Sequence, residues 1–228
     1  MRLAVIPARG GSKRIPRKNV KEFCGRPVIA WSIEAALRSA CFDSVVVSTD
    51  DAEIADVSVR WGAQSPFVRP PELSDDHAGT MSVVRHAINW FQGVGKAPAQ
   101  VCCIYATAPF VRAEDLRRGF DLLRERQADY ALAVTGFPFP IQRALRLDSG
   151  GRLRMIQPGN FALRSQDLEL TLHDAGQFCW GTSAAWQSDR TVFSANAVAV
   201  ELPRHRVQDI DTPEDWLRAE LMFKALHS

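Results

Sequence analysis

The chain has 228 residues, of which 46% are hydrophobic and 24% charged, and its formal net charge is +2. This length and composition suit one globular α/β domain, because the chain is too short for two full domains and too apolar to be disordered. A net charge this small, with no aromatic residues interleaved among the N-terminal cations, argues against nucleic acid as a partner. We therefore interpret residues 1–228 as a single domain that serves a small ligand.

The first apolar segment, residues 3–6, predicts a short buried strand. It is too short for a signal peptide or a membrane span, because Arg9 and further cations follow it at once. The five cysteines show no C-x-x-C spacing, which favours reduced thiols over zinc ligands or disulfides. We therefore expect a cytoplasmic protein with no membrane partner.

A glycine-containing basic loop follows this strand, over residues 6–19. Between positions 9 and 21 the chain has six cations and no acid: Arg9, Lys13, Arg14, Arg17, Lys18 and Lys21. The Gly-Gly-Ser sequence at 10–12 lets backbone N–H groups approach phosphate oxygens, and nucleotides usually bind at the end of the first strand in such chains. The spacing matches neither a Walker A loop nor a G-x-G-x-x-G motif. The loop therefore predicts a triphosphate site, with an exposed basic turn as the alternative.

The segments that follow alternate between helix and strand. Apolar residues at helical spacing predict helices over residues 28–40, 52–61, 80–91 and 113–127, and short apolar runs predict strands over 44–48, 101–105 and 130–134. Asp50 and Asp51 are suited to cap the second of these helices. The alternation indicates a mostly parallel sheet flanked by crossover helices, which is an α/β fold.

The pattern changes at Gly136. Two Phe-Pro pairs exclude regular structure there, and residues 145–147 and 152–156 alternate as a β-hairpin does around the turn at 148–151. We interpret residues 138–172 as an arm that projects from the sheet and either covers the site or pairs with a second subunit. Strands at 177–180 and 197–202 and a closing helix at 212–226 complete the predicted domain.

The best metal candidate is the Asp-Ile-Asp sequence at residues 209–211. In an extended segment the side chains of Asp209 and Asp211 face the same way, with α-carbons about 6–7 Å apart, so both can reach one hard cation. Phosphate-bound Mg²⁺ is usually held by only one or two protein carboxylates. We therefore predict Mg²⁺ binding here; the alternative is that Asp211 only favours the start of the next helix through the helix dipole.

Polar side chains concentrate in two short segments, residues 164–167 and 173–177. Those suited to a sugar acid are Arg164, Gln166, His173, Asp174 and Gln177. An arginine can hold a carboxylate with two hydrogen bonds, and amides and an imidazole can bind hydroxyl or amide groups. We expect these residues to form a sugar-binding wall, with a purely structural histidine as the alternative for His173.

Taken in order, these motifs resemble those of the CMP-nonulosonate synthetases, cytidylyltransferases that activate nine-carbon keto-sugar acids, over nearly the whole chain. The opening loop is typical of the whole family, whereas residues 139–143, 164–168 and 173–178 are similar to the pseudaminic acid cytidylyltransferases within it. Residues 105–109 are Tyr-Ala-Thr-Ala-Pro where sialic acid enzymes have Gln-Pro-Thr-Ser-Pro, and the chain lacks their Asn-Gly-Ala triplet. The resemblance therefore favours pseudaminic acid over sialic acid as the sugar.

The resemblance implies a Rossmann-like α/β fold, a homodimer formed through the arm, CTP as the nucleotide and Mg²⁺ as cofactor. The family's CTP loop corresponds here to Arg9, Ser12, Lys13, Lys18 and Asn19. Gly11 joins them because its backbone can approach phosphate. Arg69 and Thr80 match positions near the cytidine, although Arg69 taken alone is equally a surface charge. Asp209 and Asp211 match the magnesium carboxylates.

The reaction that the resemblance implies is attack by the anomeric hydroxyl of the sugar acid on the α-phosphorus of CTP, with pyrophosphate leaving. Arg9, Lys18 and Asp211 are then the catalytic candidates, because such transfer is catalysed mainly by positioning and electrostatics. Arg143 joins the sugar-binding candidates. Two other interpretations remain: a CMP-legionaminic or CMP-N-acetylneuraminic acid synthetase, and a non-catalytic nucleotide-binding protein of the same fold.

Overall fold

A computed structural model of the protein describes residues 1–75, 78–194 and 196–227. The strands are β1 (Arg2–Pro7), β2 (Glu22–Phe23), β3 (Arg26–Pro27), β4 (Ser44–Ser48), β5 (Gln100–Ile104), β6 (Tyr130–Gly136), β7 (Leu145–Leu147), β8 (Leu153–Met155), β9 (Leu172–Thr182) and β10 (Ala197–Glu201). The helices are α1 (Val28–Ser39), α2 (Ala52–Arg60), α3 (Thr80–Gly93), α4 (Ala113–Glu125), α5 (Ser183–Gln187) and α6 (Pro213–His227). All five predicted helices are confirmed to within two residues at each end. None of the helices in these ranges is both long enough and apolar enough to cross a membrane.

The main sheet has six strands in the order β10-β6-β9-β5-β1-β4. β1 pairs in parallel with β4 and β5, and β10 pairs in parallel with β6, whereas β9 runs antiparallel to both β5 and β6. The predicted mostly parallel α/β sheet is therefore confirmed. β9 is antiparallel because the chain leaves β6 at the carboxyl edge of the sheet, forms the arm there, and re-enters from the same edge.

Helices cover both faces of this sheet. Successive residues of a strand point to opposite faces, so Ala4 and Ile6 of β1 pack in one apolar cluster with residues of α1 and α4. Leu3 and Val5 pack in a second cluster with residues of α3 and α5. Full burial of one such leucine or isoleucine side chain stabilises a fold by about 1.5–3 kcal/mol. The short apolar run at 3–6 is therefore the centre of a two-sided core.

A third apolar cluster packs α6 against residues near the N-terminus of the chain. It contains Ile15, Phe23, Val28, Phe110, Ile210, Trp216, Ala219 and Phe223. The Phe23 ring meets the Trp216 ring edge-on, with 5.5 Å between the centroids. Ile15 belongs to the basic loop, and Ile210 lies between the two predicted metal ligands. The cluster therefore places the start of the chain beside residues 209–211.

The start of α6 is fixed by the capping box that its sequence predicts. The Asp215 N–H donates to Thr212 Oγ1 at 3.2 Å, and the Thr212 N–H donates to Asp215 Oδ2 at 2.8 Å. Each of these donors would otherwise lack an intrahelical partner. The segment that precedes α6, and with it Asp211, is thereby held in one path.

The arm predicted at 138–172 projects as a separate element and ends where β9 begins. β7 and β8 form an antiparallel hairpin outside the main sheet, with Leu145 opposite Met155 and Leu147 opposite Leu153. Both Leu147 and Leu153 are about two-thirds exposed, at 67% and 68%. The hairpin is confirmed, and its role in dimerisation stays a prediction.

Candidate active site

A crevice of about 290 Å³ opens at the carboxyl ends of β1 and β5. Its walls include most of the residues predicted to bind the nucleotide: Arg9, Ser12, Lys13, Lys18, Asn19, Arg69 and Thr80. Asp211 and Tyr105 also line it, whereas Gly11 does not. The basic loop and the carboxylate segment therefore meet across one crevice, as the sequence predicts. The binding role of each residue stays a prediction.

Side chains at the end of the basic loop fix its path. The Asn19 amide donates to the Arg9 carbonyl at 2.9 Å, which joins the two ends of the loop. Lys18 Nζ donates to the Ile210 carbonyl at 2.7 Å and lies 3.4 Å from Asp211 Oδ1. Arg14 Nη2 lies 2.9 Å from the same oxygen. Two cations of the loop therefore balance the charge of Asp211 inside the crevice.

The junction between β4 and α2 meets the start of the loop. Asp50 Oδ1 accepts the Gly10 N–H at 3.0 Å. A Cβ atom at position 10 would lie 2.7 Å from Asp51 Oδ2, which is closer than non-bonded atoms approach. The sequence pattern predicts only a capping role for these two acids. The structure shows in addition that the Asp51 side chain favours a glycine at position 10, because the two chain segments touch there.

Asp51 also holds the far end of the loop through Arg17. Its two carboxylate oxygens accept from the Arg17 guanidinium at 2.5 and 2.9 Å, and Oδ1 accepts the Ile54 N–H at 3.0 Å as the N-cap of α2. Arg17 also donates to Glu53. The hydrogen bond from Arg17 lowers the pKa of Asp51 to about 2. Arg17 has a left-handed backbone with φ of 54°. Its backbone turn and its ion pair with Asp51 together fix the conformation of the loop.

Arg69 is buried on the wall of the crevice, with 4% of its surface exposed. Its N–H donates to the Thr49 carbonyl at 2.8 Å, which fixes the backbone beside β4. Asp50 Oδ1 lies 3.5 Å from Arg69 Nη2, and Nε and Nη2 have no hydrogen-bond partner among the described residues. Burial lowers the pKa of Arg69 and the Asp50 charge opposes that effect. The surface-charge alternative is therefore wrong, and the guanidinium has donors available to a ligand.

Asp209 and Asp211 form the candidate metal site. The Asp209 residue is exposed beside the crevice, yet the protein atoms around its carboxyl and the charge of Asp211 both raise its pKa. A bound cation relieves such repulsion between carboxylates. Within the described ranges, no group of three or more His, Cys, Asp or Glu side chains is arranged to hold a metal ion. Two carboxylates fit an ion carried mainly by phosphate oxygens, as Mg²⁺ is, and Mg²⁺ stays a prediction.

Two of the predicted sugar-binding residues lie at the start of β9. His173 Nδ1 is 2.8 Å from the Asp174 carbonyl oxygen, which places a proton on Nδ1, and its ring contacts Phe137 with 4.7 Å between centroids. Asp174 Oδ1 accepts the Gly176 N–H at 2.8 Å, and burial raises the pKa of this carboxyl. Asp174 also helps to raise the pKa of Asp209. Its carboxyl is therefore close to the candidate metal site.

Gln177 lies further along β9 and is buried. Its Nε2 donates to the Arg206 carbonyl at 2.6 Å, and its backbone carbonyl accepts the Tyr105 N–H at 2.9 Å. Gln177 Oε1 has no hydrogen-bond partner within the described part of the chain. A buried acceptor left unpaired costs about 1–3 kcal/mol. This oxygen is therefore available to a donor from water or from a ligand.

The remaining predicted sugar-binding residues lie on the arm. Arg143, Arg164 and Gln166 are exposed, and none of the three lines the crevice. The Arg164 guanidinium pairs with Asp167 through two hydrogen bonds of 2.7 and 3.2 Å. His173, Asp174 and Gln177 are also not among the described residues that line the crevice. The structure therefore does not confirm the predicted sugar-binding wall.

Comparisons with known proteins show which family the sequence belongs to. A sequence model of the Cytidylyltransferase family matches residues 3–212. The pseudaminic acid cytidylyltransferase of Campylobacter jejuni subsp. jejuni is 44% identical over 225 residues, which cover 99% of this chain and 97% of that protein. The CMP-N,N'-diacetyllegionaminic acid synthase of Legionella pneumophila subsp. pneumophila is 31% identical over 235 residues, which cover 97% of this chain and 96% of that protein.

A solved structure has the same architecture. A CMP:2-keto-3-deoxy-manno-octonic acid synthetase complexed with CTP is similar with a TM-score of 0.73 and 17% identity, over 99% of each chain. At that identity the likeness is one of fold, and it agrees with the mostly parallel sheet. The family match at residues 3–212 spans both the basic loop and Asp211. The chain therefore belongs to the cytidylyltransferase family.

Proposed function

We propose that the protein transfers CMP from CTP to the anomeric hydroxyl of a nonulosonic acid, pseudaminic acid, and releases pyrophosphate. The observation that carries this proposal is the meeting of Lys18 and Asp211, 3.4 Å apart, in a crevice that the loop cations Arg9, Lys13 and Arg14 also line. The choice of sugar is supported by the 44% identity to the Campylobacter jejuni pseudaminic acid cytidylyltransferase.

The crevice suggests how CTP lies. Its triphosphate follows the basic loop, where Lys13, Lys18 and the backbone at Ser12 face the phosphate oxygens. The buried Arg69 guanidinium then donates to the base, because cytosine presents its O2 and N3 acceptors side by side and a planar fork matches that pair. Uracil has a donor at N3 instead of an acceptor, so this contact favours CTP over UTP.

Catalysis follows from the placement of charge. The anomeric hydroxyl oxygen bonds to the α-phosphorus, and the bond from this phosphorus to the oxygen that bridges to the β-phosphorus breaks. Pyrophosphate leaves with that bridging oxygen, and the hydroxyl proton is released. Arg9 and Lys18 neutralise the charge that develops on the phosphoryl oxygens. Asp209 and Asp211 are suited to hold Mg²⁺, which supplies further charge neutralisation and orients the phosphates when bound.

The test is pyrophosphate release from CTP, UTP, ATP or GTP with pseudaminic, legionaminic or N-acetylneuraminic acid, each with and without Mg²⁺. We expect release with CTP and pseudaminic acid when Mg²⁺ is present. Asp211→Ala should abolish release and leave the fold intact. Glu125→Gln removes an exposed acid at the end of α4 and should retain full activity. Near-normal turnover by Asp211→Ala in Mg²⁺ would remove the metal assignment.

The same panel separates the other two interpretations. The 31% identity to a CMP-N,N'-diacetyllegionaminic acid synthase favours legionaminic acid as the second candidate sugar. A higher kcat/KM for that sugar than for pseudaminic acid would reassign the substrate within the same reaction. Binding of CTP without pyrophosphate release in the presence of any of the three sugars would instead favour a non-catalytic nucleotide-binding protein.

Arg164, the arm arginine that the sequence predicts to bind the sugar, has its own test. We expect Arg164→Ala to raise the KM for the sugar far more than the KM for CTP, because its guanidinium is suited to hold the sugar carboxylate. Arg154→Ala is the matched control, since Arg154 is also an exposed arm arginine and pairs with Asp148 at 3.0 Å. A change in CTP affinity alone would place the sugar wall elsewhere.

The arm also supports a homodimer. Its exposed large apolar side chains are Phe139, Ile141, Leu145, Leu147, Leu153, Ile156, Phe161, Leu163 and Leu170. Monomeric proteins rarely expose so many apolar groups in one element. In a two-fold symmetric dimer, the apolar surface of one arm packs against the same surface of the second copy. Light scattering after size exclusion should give twice the chain mass. Leu147→Asp should give a monomer, whereas Leu221→Asp, at a comparably exposed leucine of α6, should not.

A cytoplasmic location belongs to the same proposal. All five cysteines are free thiols, four of them buried, and structural disulfides are rare in reducing compartments. Cell fractionation should find the protein with soluble enzymes, and recovery with the membrane fraction would contradict this location.

A further inference from the structure

The carboxylate of Asp211 has two cationic partners that are held very differently. Lys18 Nζ lies 3.4 Å from Oδ1 and is anchored by a 2.7 Å hydrogen bond to the Ile210 carbonyl, with 19% of its side chain exposed. Arg14 Nη2 lies closer, at 2.9 Å from the same oxygen, although 65% of its side chain is exposed. Arg14 is therefore the partner that can leave without breaking the buried contacts of the loop.

We propose that Arg14 is the resident counter-ion of Asp211 and exchanges with the metal ion when nucleotide binds. In the free protein the guanidinium neutralises Asp211. In the loaded protein the metal takes the carboxylate and Arg14 turns to the triphosphate. This inference rests on the proposed function, in which Asp211 is a metal ligand. It adds a phosphate-binding role for Arg14.

Electrostatic repulsion between the two cations favours the exchange. A divalent ion bound to Asp211 repels a guanidinium 2.9 Å from Oδ1, and the Lys18 ammonium on the same oxygen adds to that repulsion. Arg14 lines the same crevice as Lys13 and Lys18, so after leaving Asp211 it remains within reach of the phosphates. A guanidinium also binds phosphate oxygens with two parallel hydrogen bonds. Asp211 and Arg14 therefore each have a charged partner before and after the exchange.

The exchange makes metal and nucleotide binding mutually dependent. The triphosphate draws Arg14 away from Asp211 and so frees the carboxylate for the metal, and by linkage the metal frees Arg14 for the triphosphate. Arg17, three residues further along the loop, provides a contrast. Asp51 and Glu53 hold its guanidinium on the other side of the loop, so Arg17 takes no part in the exchange.

The experiment measures metal and nucleotide binding separately. Mn²⁺ alone is titrated into the wild-type protein, Arg14→Gln, Arg14→Lys, Arg17→Gln and Asp211→Asn, with free Mn²⁺ followed by electron paramagnetic resonance. We expect Arg14→Gln to bind Mn²⁺ about two- to fivefold more tightly, the size expected for loss of an exposed ion pair. Arg14→Lys should fall between, and Arg17→Gln should match wild type.

The affinity for nucleotide should change in the opposite direction to the affinity for Mn²⁺. Calorimetric titration of α,β-methylene-CTP, which cannot transfer CMP, is made in the presence of Mn²⁺. Arg14→Gln should bind this analogue about tenfold more weakly than wild type, because one charge-assisted contact to phosphate is lost. A variant that merely loosened the loop would weaken both ligands together, so opposite signs for the two ligands identify the exchange.

The outcomes distinguish failure of the exchange from failure of the metal assignment. If Asp211→Asn loses Mn²⁺ binding but Arg14→Gln binds Mn²⁺ no more tightly than wild type, the exchange is wrong and the metal site stands. If Asp211→Asn binds Mn²⁺ as wild type does, the metal assignment and the exchange both fall. Thermal melting followed by circular dichroism shows that each variant is folded, and exposed Arg14 should be replaceable without a change in Tm.

Discussion

The Lys18 ammonium nitrogen lies 3.4 Å from Asp211 Oδ1, although 193 residues separate the two in the sequence. The contact depends on α6, because Ile210 packs in one apolar cluster with Phe23 of the front segment and with Trp216 of the helix. The two walls of the crevice are therefore built by the same apolar core. The geometry of the candidate site therefore depends on the packing of the C-terminal helix.

Lys18→Met tests the contribution of the basic loop to the crevice. Methionine keeps an apolar stem of similar length and removes the ammonium group. We expect kcat/KM for CTP to fall about 100-fold, because a charge-assisted hydrogen bond contributes roughly 1.5–3 kcal/mol and Lys18 meets charge that develops in transfer. Steady-state pyrophosphate release measures the effect. Lys224→Met on the exposed side of α6 should match wild type, and equal activities of the two variants would contradict the assignment of Lys18.

Asp51→Asn tests the anchor of the loop. Asparagine caps a helix as well as aspartate does, so this change removes the charge that holds Arg17 and keeps α2 intact. We expect KM for CTP to rise about three- to tenfold with kcat little changed, because the loop loses its anchor and keeps its phosphate ligands. Asp51→Ala also loses the cap and should lower the free energy of unfolding by about 1 kcal/mol more. A wild-type KM in Asp51→Asn would mean that the loop is held by other contacts.

The same ion pair predicts a dependence of stability on pH. The pKa of Asp51 is about 2 in the folded protein, against about 3.9 in an unfolded chain. The unfolded state therefore binds the proton more readily, so this stabilisation is complete above about pH 4 and is lost as the pH falls toward 2. Because Arg17 is 40% exposed, we expect a screened contribution of about 1–2 kcal/mol.

Urea unfolding of wild type and Asp51→Asn from about pH 6 down to about pH 2.5 measures this contribution. The difference in the free energy of unfolding between the two proteins should shrink with falling pH. Subtracting the variant removes the titration of the other carboxylates. A difference that stays constant across this range would show that the Asp51 charge does not stabilise the fold.

Gly10→Ala and Gly11→Ala form a matched pair. A Cβ at position 10 would lie 2.7 Å from Asp51 Oδ2, whereas a Cβ at position 11 has no atom within 4 Å. We expect Gly10→Ala to lower the free energy of unfolding by about 1–3 kcal/mol, as overpacking does, and Gly11→Ala to change it by less than about 0.5 kcal/mol. Chemical denaturation measures both. Equal stabilities would show that the loop moves away from the junction at no cost.

Local patterns predicted the elements of this fold well, because helical spacing and short apolar runs depend on neighbouring residues. They did not predict β2 and β3, whose two residues each are too few to show a period. The direction of β9 was also beyond them, because it depends on where the arm leaves and rejoins the sheet. Long-range geometry therefore decided what periodicity could not.

The site divides in the same way. Glycines and cations close together in sequence predicted the loop, and Asp211 was found through a Asp-x-Asp pattern and a family resemblance. The hydrogen bond between Gly10 and Asp50 spans 40 residues, and no spacing rule connects them. Arg69 was ambiguous because a single arginine carries no pattern, and only its burial in the structure decided between a surface charge and a ligand donor.

Gly176 offers the sharpest test of the metal carboxylates. It has a left-handed backbone with φ of 62°, and a Cβ there would lie 3.4 Å from the Asp209 carboxyl carbon and Oδ1. Gly151 in the hairpin turn has a similar φ of 73° with no atom within 4 Å. An alanine in this conformation costs about 1–2 kcal/mol, so both Gly176→Ala and Gly151→Ala should lower Tm. We expect only Gly176→Ala to raise the Mg²⁺ concentration for half-maximal activity, by about threefold, because only its methyl group contacts the Asp209 carboxyl. An equal Mg²⁺ requirement in the two variants would separate Asp209 from the metal.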